Sequence, residues 1–260
     1  MSRFSPHSTI VRILGAAVGS LVLCCTALAQ PTPSGSMEPK SPPQSDAPAQ
    51  SDTQASPVSA SGDMTVASRY LFQGFDYSDG QAVVQPNASL VFRHVTANVW
   101  GNYQVNLQEF NEFDFSLKID QTLGKLSASA GYVNLQYPNR PTWEPSQEFS
   151  LDLGLETPLS PTLSVHYDFD KGKGTYTTLG LSHSVGSSVS LATNVFYQGH
   201  YYEMTGFPAT EFKGSWEHSL GAYTFTPSLS YFATWANGDF KDGADIPSNW
   251  LLALNVARAF

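Results

Sequence analysis

Charge is scarce in this chain of 260 residues. Asp, Glu, Lys and Arg together make up 13% of it, about half the usual share for a soluble domain. Cysteine is nearly missing as well. Cys24 and Cys25 both fall in an N-terminal stretch that reads as a removable signal, so the mature chain has no cysteine and cannot be a disulfide-stapled scaffold. Long apolar runs are lacking too. Apart from Ile13 to Leu23, no stretch approaches the roughly 18 apolar residues of a membrane-spanning helix, which excludes a helical membrane protein. Metal-ligand spacings do not occur: His94, His166, His183, His200 and His218 are dispersed, with neither a His-x-x-x-His nor a Cys pair. No metal and no cofactor is expected. Positive charge is in deficit. The formal net charge of −9 becomes −11 once Arg3 and Arg12 leave with the signal, which argues against a nucleic-acid partner.

At the N-terminus, Arg3 and Arg12 supply a positive region, Ile13 to Leu23 a short apolar core, and Ala27-Leu28-Ala29 a small-x-small cleavage site. Residues 1–29 therefore read as a secretory signal peptide. A lipoprotein signal would place a small residue before its cysteine, whereas Leu23 precedes Cys24. Residues 30–62 hold seven prolines and eight serines and no aromatic residue. Such a stretch buries too little apolar surface to offset its ordering entropy, so it reads as a disordered periplasmic linker.

From Asp63 onward the hydrophobic period is two. Phe113, Phe115, Leu117 and Ile119 interleave with Asp114, Ser116, Lys118 and Asp120, and Phe149, Leu151, Leu153 and Leu155 interleave with Ser150, Asp152, Gly154 and Glu156. Each such segment has one apolar and one polar face at strand spacing. About twelve segments follow this rule: 63–73, 81–93, 95–107, 111–123, 125–137, 147–157, 161–171, 174–185, 188–199, 209–219, 222–235 and 249–260. Their connections sort by parity. Those after even-numbered segments are tight, as at Arg93-His94, Gly124, Gly186-Ser187 and Gly221, and most of those after odd-numbered segments are longer. Short turns at one end and long loops at the other is the layout of outer-membrane barrels, with both termini in the periplasm. The chain closes on Trp250, Leu252, Leu254, Val256 and Phe260 at one parity. A terminal Phe260 is the expected assembly signal, read by the machinery that inserts barrels; Arg258 departs from the apolar pattern and is expected to snorkel to the headgroups.

The expected fold is all-β: a transmembrane antiparallel barrel of about twelve strands over residues 63–260. A soluble β-sandwich would also alternate, but it would hide its apolar faces inside. Here the opposite faces carry Asp, Lys, Glu, His and Asn at mid-strand, where a basic residue facing lipid costs about 2–4 kcal/mol. A water-filled lumen removes that cost.

The opening of the barrel, Ala67-Ser68-Arg69-Tyr70-Leu71-Phe72-Gln73-Gly74-Phe75, resembles the first strand of the TorF-like family of outer-membrane porins. That family carries Ser-x-Tyr-x-x-Arg-Gly there: Ser68, Tyr70 and Gly74 match, and Gln73 stands in the place of the Arg. Asp79-Gly80 with Gln85, and Tyr167-Asp168-Phe169-Asp170 before Gly174-Thr175-Tyr176, are similar to the same group. The resemblance implies an outer-membrane channel.

Enzyme signatures are weaker. Gly180-Leu181-Ser182-His183-Ser184 misses the Gly-x-Ser-x-Gly elbow at its last residue, and no His-x-Ser occurs. Because triads assemble across strands, a barrel enzyme of the lipase or lipid A deacylase type stays the alternative. Gly172-Lys173-Gly174-Thr175 fails as a phosphate loop and reads as a turn; Asn87-Ala88-Ser89 is a formal sequon on a strand. Function is expected in the lumen, where strand parity places Asp114, Lys118, Asp120, Asp152, Glu156, His166, Asp168, Asp170, Lys213 and Glu217. Carboxylates outnumber lysines there, which favours cations or neutral polar solutes diffusing passively. The competing reading is that these charges pair across strands and help to plug a narrow structural or adhesive barrel. The aromatic loop Gly199 to Pro208, like Trp143 and Trp235, is expected in the interfacial girdle. Outer-membrane lipid, small solutes and the barrel assembly machinery are the expected partners.

Overall fold

The computed structural model describes residues 58–235, 237–240 and 248–260. The expected signal and the linker up to residue 57 lie outside them. The strands are β1 (Val58–Ala67), β2 (Leu71–Phe72), β3 (Phe75–Asp76), β4 (Val83–Phe92), β5 (Val95–Gln104), β6 (Glu109–Leu123), β7 (Leu126–Gln136) and β8 (Ser146–Leu155). They continue as β9 (Thr162–Asp168), β10 (Gly174–Val185), β11 (Val189–Tyr201), β12 (Met204–Gly206), β13 (Ala209–Trp216), β14 (His218–Leu220), β15 (Tyr223–Thr234) and β16 (Asn249–Ala259). Twelve of them form a closed ring in the order β1-β4-β5-β6-β7-β8-β9-β10-β11-β13-β15-β16, and β16 pairs back onto β1. All these pairs are antiparallel. β12 folds back on β11, β14 continues the line of β13 along β15, and β2 and β3 pair only with each other. No helix among the described residues is long and apolar enough to cross a membrane.

The ring follows the alternation read from the sequence, with one shift. β1 begins at Val58, inside the segment assigned to the linker, and ends at Ala67. Val58 to Gly62 are poor in large apolar side chains, yet all pair with β4 and the last two use both edges: Ser61 sits between Ser89 and Ala259, and Gly62 between Ala88 and Arg258. Ring closure satisfies this backbone where side-chain burial would not. Residues 68–82 then leave the wall.

One end of the ring is tight. Phe92 pairs with Val95, Leu123 with Leu126 and Leu220 with Tyr223, so two residues suffice for each reversal. Such turns need a left-handed residue, supplied by Arg93 (φ 56°), Gly124 (φ 63°) and Gly221 (φ 60°). The long connections all lie at the other end.

The wall is inside-out relative to a soluble protein. Ile119 is 63% exposed, Phe149 57% and Trp250 59%, all on the outer face, while their strand neighbours Lys118, Ser150 and Leu251 point into the bore. Outward rings gather at both ends of this apolar surface. At the loop end Tyr231 lies on Trp250 (4.8 Å between centroids) and Phe149 on Phe169 (4.8 Å). At the turn end the guanidinium of Arg258 sits 5.4 Å from the Tyr223 ring and 4.8 Å from Phe260, and donates to the Tyr223 hydroxyl at 3.2 Å. Arg258 therefore keeps its charge among rings at the rim of the apolar band, which is how a cation fits the outer face there.

Candidate functional site

Inside the ring, the half nearer the tight turns is polar and half-exposed. Lys118 on β6 pairs with Asp152 on β8 at 2.8 Å, and Ser164 on β9 donates to the same carboxylate at 2.6 Å. Asp120 accepts from Thr96 at 2.6 Å, and Asp63 accepts from Asn87 at 2.7 Å and Asn255 at 2.8 Å. Asn194 donates to Glu211 at 2.8 Å. These side chains bond to one another along the wall. Gly131 helps: a side chain there would collide with Lys118 and Ser150.

Nearer the long loops the interior is packed solid, and the cause is the chain between β1 and β4. After Ser68, whose amide still bonds Leu252 on β16, the chain turns into the lumen. Gln73 (φ 52°) and Gly74 (φ 94°) reverse it between β2 and β3. Asp76 and Ser78 brace the return. The Asp76 carboxylate accepts from the Ser78 and Gly80 amides at 3.0 Å each, and Ser78 Oγ accepts from the Tyr70 amide at 2.8 Å. The segment meets the wall on every side. Tyr70 donates to Glu112 on β6 at 3.0 Å, Phe72 meets the Tyr176 ring on β10 edge-on at 5.3 Å, and Gln73 accepts from Gln198 on β11 at 2.9 Å. Arg69 donates to Asn249 on β16 at 2.8 Å, and Leu71 packs on Phe196 and Phe232 of β11 and β15. A chain of amides (Gln85, Asn102, Asn111, Gln104) runs along β4 to β6 and ends on the Ser78 carbonyl. Residues 68–82 thus form a plug across the bore. Burial, then the charge of Glu112, pushes the Tyr70 and Tyr77 hydroxyls well above their ordinary range, so both stay protonated.

Beside the plug lies a buried acidic layer. Glu148 on β8 is fully buried and receives Tyr176 at 2.9 Å and Tyr201 at 3.5 Å, with His166 Nδ1 3.1 Å away. His166 stacks on Tyr176 at 4.5 Å. Asp168 accepts from Ser146 at 2.8 Å and from the Asp170 amide at 2.9 Å. Asp114 is buried beside them on β6.

The residues picked out by parity divide between these two halves. Lys118, Asp120 and Asp152 belong to the polar half, and Asp114, His166 and Asp168 to the packed half. Lys213 opposes Ala192 and is exposed within the turn-end half. Glu156 and Glu217 sit at the turn-end rim, where their amides bond the Lys125 and Ser188 carbonyls. Asp170 lies past the end of β9 and faces Gln147, 3.4 Å away. Sequence reasoning passed over Asp63, Glu112, Glu148 and Glu211. The same parity covers them: Glu112 precedes Asp114 by two residues, and Glu148 precedes Ser150 by two. The aromatic loop also differs from its expected place in the girdle. Tyr201 is fully buried in the cluster that holds Tyr70 and Phe72, and Trp143 packs between Tyr77 of the plug (5.6 Å) and Tyr137 of the wall (5.3 Å). Phe207 stays outside, 5.0 Å from Tyr197.

Ser150 is paired in register with His166, whose imidazole is oriented by Glu148. Its Oγ makes no hydrogen bond to that ring and lies on the Gly131 side. Among the described residues no group of three or more His, Cys, Asp or Glu could hold a metal ion.

No family model and no curated sequence matches this chain. Among solved structures it is similar to the COG4313 outer membrane channel from Pseudomonas putida F1, at 12% identity over 82% of this chain and 99% of that one, with a TM-score of 0.44. It is also similar to a variant of the Rh. blastica porin (9% identity, 78% and 99% covered, TM-score 0.36). A third neighbour is Salmonella typhi OmpF in complex with daunomycin (6% identity, 78% and 97% covered, TM-score 0.38). The likeness is remote, and the reading of function rests on the barrel itself.

Proposed function

We propose that the chain is an outer-membrane channel of the porin type, through which small polar or cationic solutes diffuse when the 68–82 plug gives way. The observation that carries this reading is the inverted wall: an apolar outer face ringed by aromatics at both ends, around a closed bore lined with polar side chains. By the habit of such barrels, the tight-turn end faces the periplasm and the long-loop end faces outward. Asp120, Asp152, Lys118 and Lys213 would line the open half, Asp114, His166 and Asp168 the packed half around the plug, and Glu156, Asp170 and Glu217 the two rims. Carboxylates would bias passage toward cations. Lipid surrounds the belt, and Phe260 on the last strand would present the chain to the barrel assembly machinery. Ser68, Tyr70 and Gly74 support membership of the TorF-like family.

A second reading, a permanently plugged structural or adhesive barrel, is favoured by the density of contacts that residues 68–82 make. Single-channel conductance of the refolded chain in a planar bilayer under a salt gradient separates the two. Discrete steps with a cation-set reversal potential support the channel. Silence in the wild type and in a variant whose plug side chains are trimmed supports the structural barrel.

A further inference from the structure

We infer that the chamber filled by residues 68–82 is a binding site for a cationic aromatic solute, an aromatic ring carrying an ammonium group, and that the plug occupies it as an internal stand-in. This deepens the channel reading by naming a solute class, and binding can be tested apart from conductance.

The wall of the chamber selects for rings. Trp100, Tyr176 and Tyr201 face inward from β5, β10 and β11, and the plug meets them with rings of its own. Phe72 lies edge-on to Tyr176 at 5.3 Å, and Tyr70 is 5.9 Å from Trp100. Tilted and edge-on contacts at these separations are the favourable geometries between aromatic groups, so the wall is already shaped around aromatic guests.

The same wall selects for positive charge. Glu112 is fully buried and makes no ion pair among the described residues; what it receives from the plug is a neutral phenol, the Tyr70 hydroxyl. Its second oxygen, Oε1, is buried without a hydrogen-bond partner. Gln198 Oε1, beside Gln73, is likewise buried and unpartnered. Buried acceptors are normally satisfied, and a buried carboxylate is best satisfied by a cation. The wall therefore presents acceptors that the plug leaves unmet, and the plug in turn holds buried donors, Arg69 Nε and Gln73 Nε2, that the wall leaves unmet. An ammonium group on a ring of Tyr70's size would supply the missing donors and a close ion pair.

The plug is built to be displaced. Its own secondary structure is the two-residue pair Leu71–Phe72 with Phe75–Asp76, which shares no strand pairing with the ring. Displacing residues 69–81 would break side-chain contacts and the Gln104 bond to the Ser78 carbonyl, and leave the twelve-strand hydrogen-bonding pattern intact.

The test is titration calorimetry of the refolded mature chain with benzylamine, with benzoate and cyclohexylmethylamine as the anionic and the non-aromatic controls. Trimming the stand-in with Tyr70→Ala and Phe72→Ala should tighten benzylamine at least about tenfold, because the competing state is depopulated. The milder Tyr70→Phe frees both oxygens of Glu112 while keeping the ring and should tighten it severalfold, which keeps the test decisive if the double variant does not refold. Adding Glu112→Gln should abolish the gain. Benzoate bound as well as benzylamine, cyclohexylmethylamine bound equally, or no tightening in either plug variant would each overturn the inference. Selective binding without conductance would leave this site standing while the channel reading fell; conductance without selective binding would do the reverse.

Discussion

The two halves of this lumen are walled by the same twelve strands, yet one holds polar side chains spaced around a bore and the other holds a packed core. In the turn-end half, Asp152 is matched by Lys118 and Ser164, and Asp120 by Thr96, all from the wall itself. In the loop-end half, Glu112 and Trp100 are matched by Tyr70, which arrives from a connection. Strand alternation decides which side chains face inward. Whether the inside is a passage or a core is decided by a segment of fifteen residues, 68–82, that belongs to no barrel strand.

The strongest way to break this contrast is to empty the loop-end half. Replacing Tyr70 and Phe72 with Ala removes two buried rings, worth about 3–5 kcal/mol each, and should give a persistently open conductance in a planar bilayer. A pH titration comes next. Tyr70 and Tyr77 are held protonated in the plugged state, whereas a released tyrosine ionises near pH 10. The plugged state binds more protons than the released one above that pH, so closure is fully supported below about pH 10 and weakens as pH rises further. The loss is up to about 1.4 kcal/mol per pH unit for each tyrosine, and open probability should climb on the alkaline side. An open probability flat to pH 11, at about one unit above that midpoint, would contradict the buried placement of both hydroxyls.

Smaller effects sharpen the reading of the lumen charges. Replacing Asp114, Asp120 and Asp152 with Asn should lower cation preference severalfold, at about 1 kcal/mol per charge beside a watery path; an unchanged reversal potential would sink the lumen assignment. The smallest effect is expected outside the bore. Arg258→Ala should cost about 0.5–1 kcal/mol in urea unfolding, the worth of an exposed cation over rings, and leave conductance alone.

Most of the ring was legible because period-two alternation is repeated strand after strand: 174–185 and β10 coincide, and the ends of β5 to β9 differ from the expected segments by a few residues. The plug was not legible for the same reason. Arg69, Tyr70, Leu71 and Phe72 continue the texture of β1, and alternation has the same appearance whether a ring meets lipid or a core. What stops the strand is spatial: Gln73 and Gly74 reverse inward, and Asp76 and Ser78 stabilise the return. The acidic layer suffered from the same gap. Glu148 was within reach of parity, but its importance comes from Tyr176 and Tyr201, which arrive on β10 and β11 and whose proximity no spacing in the sequence reports.

The seam between β1 and β16 has a kinetic consequence. Every other neighbouring pair in the ring joins segments that follow one another along the chain, so each can form by local zippering at little loop-closure cost. Asp63 and Ala257, paired across the seam, must find each other from opposite ends of the barrel sequence. Until they do, the growing sheet carries two open edges of the kind that invites intermolecular pairing. Closure of this one contact should therefore set the refolding rate and its dependence on protein concentration. A disulfide engineered between Asp63→Cys and Ala257→Cys should form later in refolding than one placed across any hairpin.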